Sequence, residues 1–127
     1  MIQLARLDHF VLTVSSVEAA AEFYNRVLGF TVERSPQGRI ALRSGDLRIN
    51  LHDEAHAPGR RAANPGIGAA DFCYEVEGPM QAVIAHLDAC NVALEEGPVT
   101  RNGSKGQMTS VYFRDPDGNL VELSVYG

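Results

Sequence analysis

Three residues with metal-binding chemistry, His9, Asp71 and Glu122, lie in segments whose neighbours are mostly apolar. An imidazole or carboxylate that projects from an apolar strand into a cleft loses hydration unless it binds something. Nitrogen and oxygen ligands of this kind suit iron(II), manganese, nickel or zinc. The sequence therefore indicates a divalent metal site built from His9, Asp71 and Glu122, without choosing among these metals.

Alternation along two predicted strands places further polar residues beside these ligands. In the last strand, Glu122 shares a face with Leu120 and Ser124, while the residues between them are apolar. The apolar face is expected to pack beneath a helix, which turns Glu122 towards a cleft. The same reasoning places Asn50 and His52 together on one face of an earlier strand.

The elements that position these residues repeat along the chain. In the first half, strands are predicted at residues 7–14, 30–34, 39–43 and 47–52, around a helix that starts at a capping box of Ser15 and Glu18. In the second half, strands are predicted at residues 71–77, 92–95, 108–114 and 119–126, with a helix that opens at Pro79 and ends near Asn91. Each half therefore has the order β-α-β-β-β.

This internal repeat predicts the architecture. An offset of 62 residues places His9 on Asp71, and an offset of 72 places Asn50 on Glu122. We expect an α+β fold in which two βαβββ modules form a curved, incomplete barrel. The chain would be one domain, residues 1–127, with module one at about 4–52, a linker loop at 53–69 and module two at about 70–126.

Other chemically capable residues are assigned structural roles. Cys73 and Cys90 have no metal-binding spacing and are expected to be reduced thiols, with Cys73 buried and inert. His56 and His86 are expected at the surface. The glycine-rich stretch 101–106 is predicted to be a mobile surface loop, although its amides and two cations offer an alternative role in holding an anion.

Composition excludes several classes of protein. The 127 residues carry a net charge of −5, which disfavours nucleic-acid binding because a positive surface is needed to displace counterions. The chain has neither a long apolar run nor an N-terminal signal pattern, so no membrane association is expected. Together with the unpatterned cysteines, these features predict a cytoplasmic protein.

Three segments resemble the vicinal oxygen chelate superfamily, which includes glyoxalase I, extradiol dioxygenases, and fosfomycin and bleomycin resistance proteins. They are LDHFVLTV at residues 7–14, FYNRVLGF at 23–30 and YFRDPDGNLVEL at 112–123. The resemblance covers essentially the whole chain. Two further stretches, residues 49–52 and 90–98, are most similar to single-domain glyoxalase-like proteins of the virulence-type subgroup.

The resemblance implies positions and roles for the site. Metal-binding members take ligands from the first and last strands of each module, which here are His9, Asn50, Asp71 and Glu122. Asp71 stands where a second histidine is usual, and Asn50 where a carboxylate, glutamine or histidine is usual. His9, Asp71 and Glu122 would hold the ion, and Glu122 or His52 would act catalytically by moving a proton.

Two functions from different classes follow from this resemblance. One is a metal-dependent lyase, isomerase or dioxygenase-type enzyme that acts on a small, vicinally oxygenated substrate. The alternative is a metal-free resistance protein that binds a drug or metabolite in the same cavity; Asn50 and Asp71 favour it. The superfamily also implies a homodimer. For either function, the expected ligand is a small molecule.

Overall fold

Eight strands and two α-helices make up the chain in a computed structural model that describes residues 1–127. They divide into two compact units, residues 1–67 and 68–127, each with its own sheet and helix. The α+β class expected from the sequence is confirmed, and neither four-stranded sheet closes on itself. Neither helix has the length and apolar character needed to span a bilayer.

The first unit contains one sheet, one α-helix and a short 3-10 helix. Its elements are β1 His9–Val14, α1 Val17–Leu28, β2 Thr31–Arg34, β3 Ile40–Ser44, β4 Leu47–Asp53 and the 3-10 helix Glu54–His56. The strand order is β1-β4-β3-β2, with β1 and β4 parallel and the other pairs antiparallel. The first strand of the unit is therefore paired with its last.

The second unit repeats this arrangement. Its elements are β5 Asp71–Glu75, α2 Met80–Ala89, β6 Glu96–Gly103, β7 Gly106–Arg114 and β8 Leu120–Tyr126. The strand order is β5-β8-β7-β6, and β5 pairs in parallel with β8. Both units therefore share one topology, as the internal repeat predicts.

Strand pairing gives the repeat a residue-level register. Val11 of β1 lies beside Asn50 of β4, and Cys73 of β5 lies beside Glu122 of β8. His9 and Asp71 come two residues before Val11 and Cys73, on the same faces of their strands. The predicted equivalences of His9 with Asp71 and of Asn50 with Glu122 therefore agree with the pairing inside each unit.

One face of each sheet is buried, and its side chains are apolar. In β4, Ile49 and Leu51 are buried, whereas Asn50 and His52 between and after them are only partly covered. In β8, Val121 and Leu123 are buried and Glu122 is partly covered. The expected alternation is confirmed in β4 and in β8 as far as Leu123, where it leaves Asn50 and Glu122 on partly open faces; beyond that point Ser124 is fully buried on the face of Glu122.

The N-cap of helix α1 lies one residue later than the sequence predicts. Ser16, not Ser15, is the N-cap, and its hydroxyl accepts a hydrogen bond from the Ala19 amide at 3.1 Å. Gly29 ends the helix in the left-handed region at φ 72°, as its position predicts. Tyr24, on the buried side of α1, is fully covered and makes edge-on contacts with Phe23 and Phe30.

The sequence prediction is wrong about the segment between α2 and β7. Residues 92–95 form no strand, and most of the predicted connection at 97–107 is strand β6. Gly97 and Pro98 read as a break, yet β6 is an edge strand, where a proline lacks only a hydrogen bond that the sheet does not use. The register shifts between Glu96 and Val99 absorb the irregularity.

Candidate functional site

Glu122 lies at the centre of a hydrogen-bonded group on the open face of the second sheet. The Ser124 hydroxyl donates to Glu122 Oε2 at 3.1 Å, and Tyr112 on the neighbouring strand lies beside Glu122 in the register. Arg101 Nε in turn donates to the Tyr112 oxygen at 3.0 Å. The hydrogen bond from Ser124 orients the Glu122 side chain.

A buried pair of hydroxyls supports this group from below. Ser110 and Ser124 are both fully buried, and their oxygens are 2.7 Å apart. Because Ser124 gives its single proton to Glu122, Ser110 acts as the donor in the pair. Alternation in the sequence places Ser124 on this face. It gives no signal for Ser110 or Tyr112, because these residues lie on β7 and the sequence does not show which residues of β8 they face.

Cys73 also belongs to this face, and its expected burial is wrong. The residue is exposed, since β5 is an edge strand, but its sulfur lies 3.1 Å from the buried Ser124 oxygen. Partial burial and the carboxylates of Glu122 and Glu75 raise the pKa of the Cys73 thiol. At neutral pH the thiol is therefore protonated and weakly nucleophilic.

Asp71, the second carboxylate of this unit, starts β5 and is exposed. Pairing places it beside Leu120, one step along the same face from Glu122. Arg114, next to Leu120 on β7, is held by Glu95 through two hydrogen bonds of 2.9 and 3.0 Å. The Asp71 carboxylate makes no hydrogen bond or ion pair and is available to a ligand.

His9 occupies the position in the first unit that Asp71 occupies in the second. Its Nδ1 lies 2.8 Å from Asp8 Oδ2, and 44% of its side chain is exposed. The same contact, with its hydrogen bond as the main cause, lowers the pKa of the Asp8 carboxyl. A carboxylate on Nδ1 favours the tautomer that carries the proton there, which leaves Nε2 as the acceptor nitrogen.

Asn50 and His52 line an open groove of about 1090 Å³ in the first unit. The lining also includes charged residues of α1, β4 and the β2–β3 hairpin: Glu18, Arg34, Arg39 and Arg48. Asn50 Oδ1 and His52 Nδ1 are buried and have no hydrogen-bond partner. Buried polar atoms of this kind are rare in native proteins and mark places where a ligand or water completes the structure.

The state of His52 follows from its surroundings. Burial, together with the nearby positive charge of Arg39, lowers the pKa of His52 below its usual 6.5. The imidazole is therefore neutral at pH 7, with one nitrogen able to accept a proton or hydrogen bond and the other able to donate.

The structure places the predicted ligands on two sheets. Asp71 and Glu122 share one open face, and His9 and Asn50 share the equivalent face of the other unit. Neither unit by itself gathers three His, Cys, Asp or Glu side chains into a group able to hold an ion. Imidazole nitrogen and carboxylate oxygen, taken separately, are donor types that divalent metals accept.

The two remaining histidines lie where the sequence predicts, whereas the glycine-rich stretch does not. His56 and His86 are exposed, as expected. The stretch 101–106 is the tip of the β6–β7 hairpin and not a mobile loop, and Lys105 at the tip binds Glu75 Oε1 at 2.7 Å. Arg39 was missed although it starts a predicted strand, because its alignment with His52 follows only from the pairing of β3 with β4. Arg48 was missed although period-two alternation with Asn50 and His52 signals its face.

The fold is thus a repeated α+β unit in which the last strand of each sheet carries a partly open polar residue, Asn50 or Glu122. Residues 6–123 match the Glyoxalase/Bleomycin resistance protein/Dioxygenase superfamily. The chain belongs to this superfamily, which confirms the resemblance seen in its sequence motifs.

Several relatives are similar over most of their length. Virulence protein STM3117 of Salmonella typhimurium is 41% identical over 121 residues, which cover 95% of this chain and 84% of that protein. Its crystal structure superposes with a TM-score of 0.96 at 40% identity, over 99% of this chain and 100% of that chain. Glyoxalase domain-containing protein RDO1 of Mycosarcoma maydis is 38% identical over 125 residues, covering 98% of this chain and 70% of that protein.

An integron cassette protein of V. cholerae, VCH_CASS1, gives the same structural agreement. Its TM-score is 0.96 at 40% identity, with 100% of this chain and 99% of that chain covered.

Proposed function

We propose that the chain is a metal-dependent lyase, isomerase or dioxygenase-type enzyme that acts on a small molecule with vicinal oxygens. One observation carries the proposal. His9 and Asp71 occupy equivalent positions in the repeat, at the starts of β1 and β5, and Glu122 lies one step from Asp71 on the same face of the second sheet. Membership of a superfamily that contains glyoxalases and dioxygenases supports it.

In this proposal His9, Asp71 and Glu122 hold the ion. Asp8 keeps Nε2 of His9 in the ligating form, and Asp71 contributes a carboxylate that no other group engages. An ion bound by these residues would act as a Lewis acid that stabilises negative charge on a substrate oxygen. Iron(II), manganese, nickel and zinc all accept this nitrogen and oxygen set.

Two residues are proposed to move protons. Glu122 accepts a hydrogen bond from Ser124, which orients its carboxylate. His52 is neutral at pH 7 and has a buried nitrogen without a partner, so it can accept a proton from a bound molecule. General acid–base catalysis requires both a fixed position and an accessible protonation state.

A second function, metal-free binding of a drug or metabolite, is favoured by Asn50. This amide stands where the other unit has the Glu122 carboxylate, and an amide oxygen is a weaker metal ligand. The groove beside Asn50 has the size of a small-molecule site. In that case binding would depend on shape and hydrogen bonds and would need no ion.

The two functions are separated by Glu122→Gln, which keeps the size of the side chain and removes its charge. The matched control is Glu77→Gln, an exposed carboxylate just after β5. Metal content and melting temperature are measured for all three proteins after purification without an affinity tag, with Mn²⁺, Ni²⁺, Zn²⁺ or Fe²⁺ added in turn.

The metalloenzyme predicts that an ion stabilises the wild type and the Glu77→Gln control but not Glu122→Gln. Once a substrate is found, turnover of the Glu122 variant should fall by roughly 10²–10⁴-fold if the residue is also the base. A wild type that takes up none of the four ions and is not stabilised by any would reject the enzyme in favour of metal-free binding.

We further propose that the chain acts in the cytoplasm as a homodimer. Both cysteines are free, which suits a reducing compartment. Five large apolar side chains are exposed near the N-terminus: Met1, Ile2, Leu4, Leu7 and Val11. Exposed apolar groups clustered in this way are typical of a protein interface.

Light scattering tests the dimer. The double variant Ile2→Asp and Leu4→Asp should be monomeric, whereas Ala63→Asp, in the exposed loop, should retain the mass of a dimer. A monomeric wild type would contradict the assignment.

A further inference from the structure

Two arginines on the groove of the first unit have no partner, although the residues around them do. Arg39 and Arg48 make no side-chain hydrogen bond or ion pair. In contrast, Arg34 is bound by both carboxylate oxygens of Glu18 at 3.0 and 3.1 Å. Arg39 and Arg48 are thus cations of the groove without an ion pair. The Asp8 carboxylate lies near enough to Arg48 to be affected by its charge, but it is hydrogen-bonded to His9.

The carboxylates that line the groove are already engaged. Glu18 is bound to Arg34, and Glu33 accepts from Arg43 Nε at 2.8 Å. Asp53 caps the 3-10 helix by accepting from the Ala55 amide at 2.9 Å. These acids are therefore held in other contacts, so Arg39 and Arg48 remain available to an external anion.

The two arginines flank the unpartnered polar atoms of the groove. Arg48 precedes Asn50 by two residues on the same face of β4, about 7 Å along the strand. Arg39 comes directly before Ile40, which pairs with Leu51, so Arg39 lies level with His52 at the other end of the row. Its backbone is fixed there by two hydrogen bonds with Ser35.

An exposed arginine alone is an ordinary surface residue, whereas this combination is specific. Asn50 Oδ1 is a hydrogen-bond acceptor only, so it requires a donor from a bound molecule. A neutral His52 supplies one further donor or acceptor beside it. A ligand that complements this surface carries a negative charge and, close to that charge, a hydroxyl or N–H group.

We infer that the groove binds a small organic oxyanion, whose charged group lies between Arg39 and Arg48 and whose adjacent hydroxyl or N–H group donates to Asn50 Oδ1. The inference rests on the proposed function in taking this molecule as the substrate, but binding itself requires no metal. A carboxylate or a phosphate would supply the same charge-assisted hydrogen bonds to guanidinium groups.

The probes are chosen to separate these features. Lactate has a carboxylate and an adjacent hydroxyl, propanoate has the carboxylate alone, and lactamide has the hydroxyl without the charge. Inorganic phosphate tests the other oxyanion. Each is titrated into metal-free protein, and binding is followed by changes in the amide NMR spectrum, a readout that is independent of activity.

We expect lactate to bind more tightly than propanoate and lactamide to show no saturable binding. Arg39→Gln and Arg48→Gln should each weaken lactate binding by about 10-fold, as expected for the loss of a charge-assisted hydrogen bond. Asn50→Ala should abolish the difference between lactate and propanoate. A higher affinity for phosphate than for lactate would assign the oxyanion to a phosphate ester instead of a carboxylic acid.

Arg60→Gln is the matched control, because it removes the same charge from a loop outside the groove. Equal weakening by Arg60→Gln would show that only net charge matters and would overturn the inference. So would saturable binding of none of the four probes. Anion binding that persists in a protein unable to take up metal would leave the inference intact while rejecting the metalloenzyme.

Discussion

The open faces of the two sheets carry different side chains at equivalent positions. In the first unit Asn50 lies beside Ala41, and in the second unit Glu122 lies beside Tyr112. Glu122 accepts a hydrogen bond from Ser124, whereas the oxygen of Asn50 is buried without one. The same backbone has thus produced one face that is internally satisfied and one that is incomplete without a ligand.

The buried faces, in contrast, are equivalent in character. Leu42 pairs with Ile49 in the first sheet and Phe113 with Val121 in the second, and all four are fully buried. The repeat is therefore retained where packing requires apolar side chains and has diverged where the sheet meets solvent or ligand. Packing restricts which side chains the buried faces can carry, whereas the side chains on the open faces differ in chemical type.

The largest expected effect tests the equivalence of the buried faces. Leu42→Ala and Phe113→Ala should each lower the free energy of unfolding by about 2–5 kcal/mol, because both leave cavities in a covered core. Urea unfolding followed by circular dichroism measures both values. A loss below about 1 kcal/mol at one site only would show that the two cores are not built alike.

A smaller effect should distinguish the satisfied face. Ser124→Ala removes contacts with Ser110, Cys73 and Glu122 and should lower the free energy of unfolding by about 1–3 kcal/mol, since Ser110 loses its buried partner. The double variant with Ser110→Ala should be no less stable than the single one. A double variant that loses the sum of two independent costs would contradict the paired arrangement.

The incomplete face should respond in the opposite way. Asn50→Leu removes an amide whose oxygen has no partner, so the free energy of unfolding should stay within about 1 kcal/mol of the wild-type value or rise. Glu122→Leu, at the equivalent position, should destabilise the protein because the buried Ser124 hydroxyl loses its acceptor. Similar losses for the two leucine variants would remove the distinction between the faces.

A pH-dependent effect should come from the first unit alone. Because burial and Arg39 lower the pKa of His52, the unfolded chain binds a proton at this residue more readily than the folded chain. Stability should therefore fall as the pH drops from about 6.5 through the lowered pKa of folded His52. Urea midpoints between pH 5 and 7.5 should show a flatter profile for His52→Gln, and an unchanged profile would contradict the shift.

The smallest effect concerns Cys73 in the second unit. Burial and the nearby carboxylates raise the pKa of its thiol, so alkylation by iodoacetamide at pH 8 should be slower than that of a free cysteine. Glu122→Gln removes one of these carboxylates and should accelerate the reaction. Mass spectrometry resolves Cys73 from Cys90, whose rate serves as the internal control and should not change between the two proteins.

Much of the fold could be predicted from the sequence, because alternation in residues 47–53 and 120–123 separates a buried face from an open one. The same pattern placed Asn50, His52 and Glu122 on open faces. Strand β6 was missed because Gly97 and Pro98 end a strand in most contexts, and only its position at the sheet edge makes them compatible with pairing.

The unpaired state of Arg39 and Arg48 could not be predicted. It depends on which of the surrounding acids are already engaged, as Glu18 is by Arg34 and Glu33 by Arg43. Such pairings join residues distant in sequence, and no local pattern encodes them. The anion-binding face is therefore visible only once the strands are in register.

The parallel pairing of the first strand of each unit with its last has a consequence for the order of folding. The antiparallel hairpins of β2 to β4 and of β6 to β8 join neighbouring segments, whereas β1 must meet β4 across α1 and two intervening strands. Contacts between distant segments form slowly because a long loop has to close first. We expect the amides of β3, β4, β7 and β8 to gain protection from hydrogen exchange before those of β1 and β5, so that each open face is completed last.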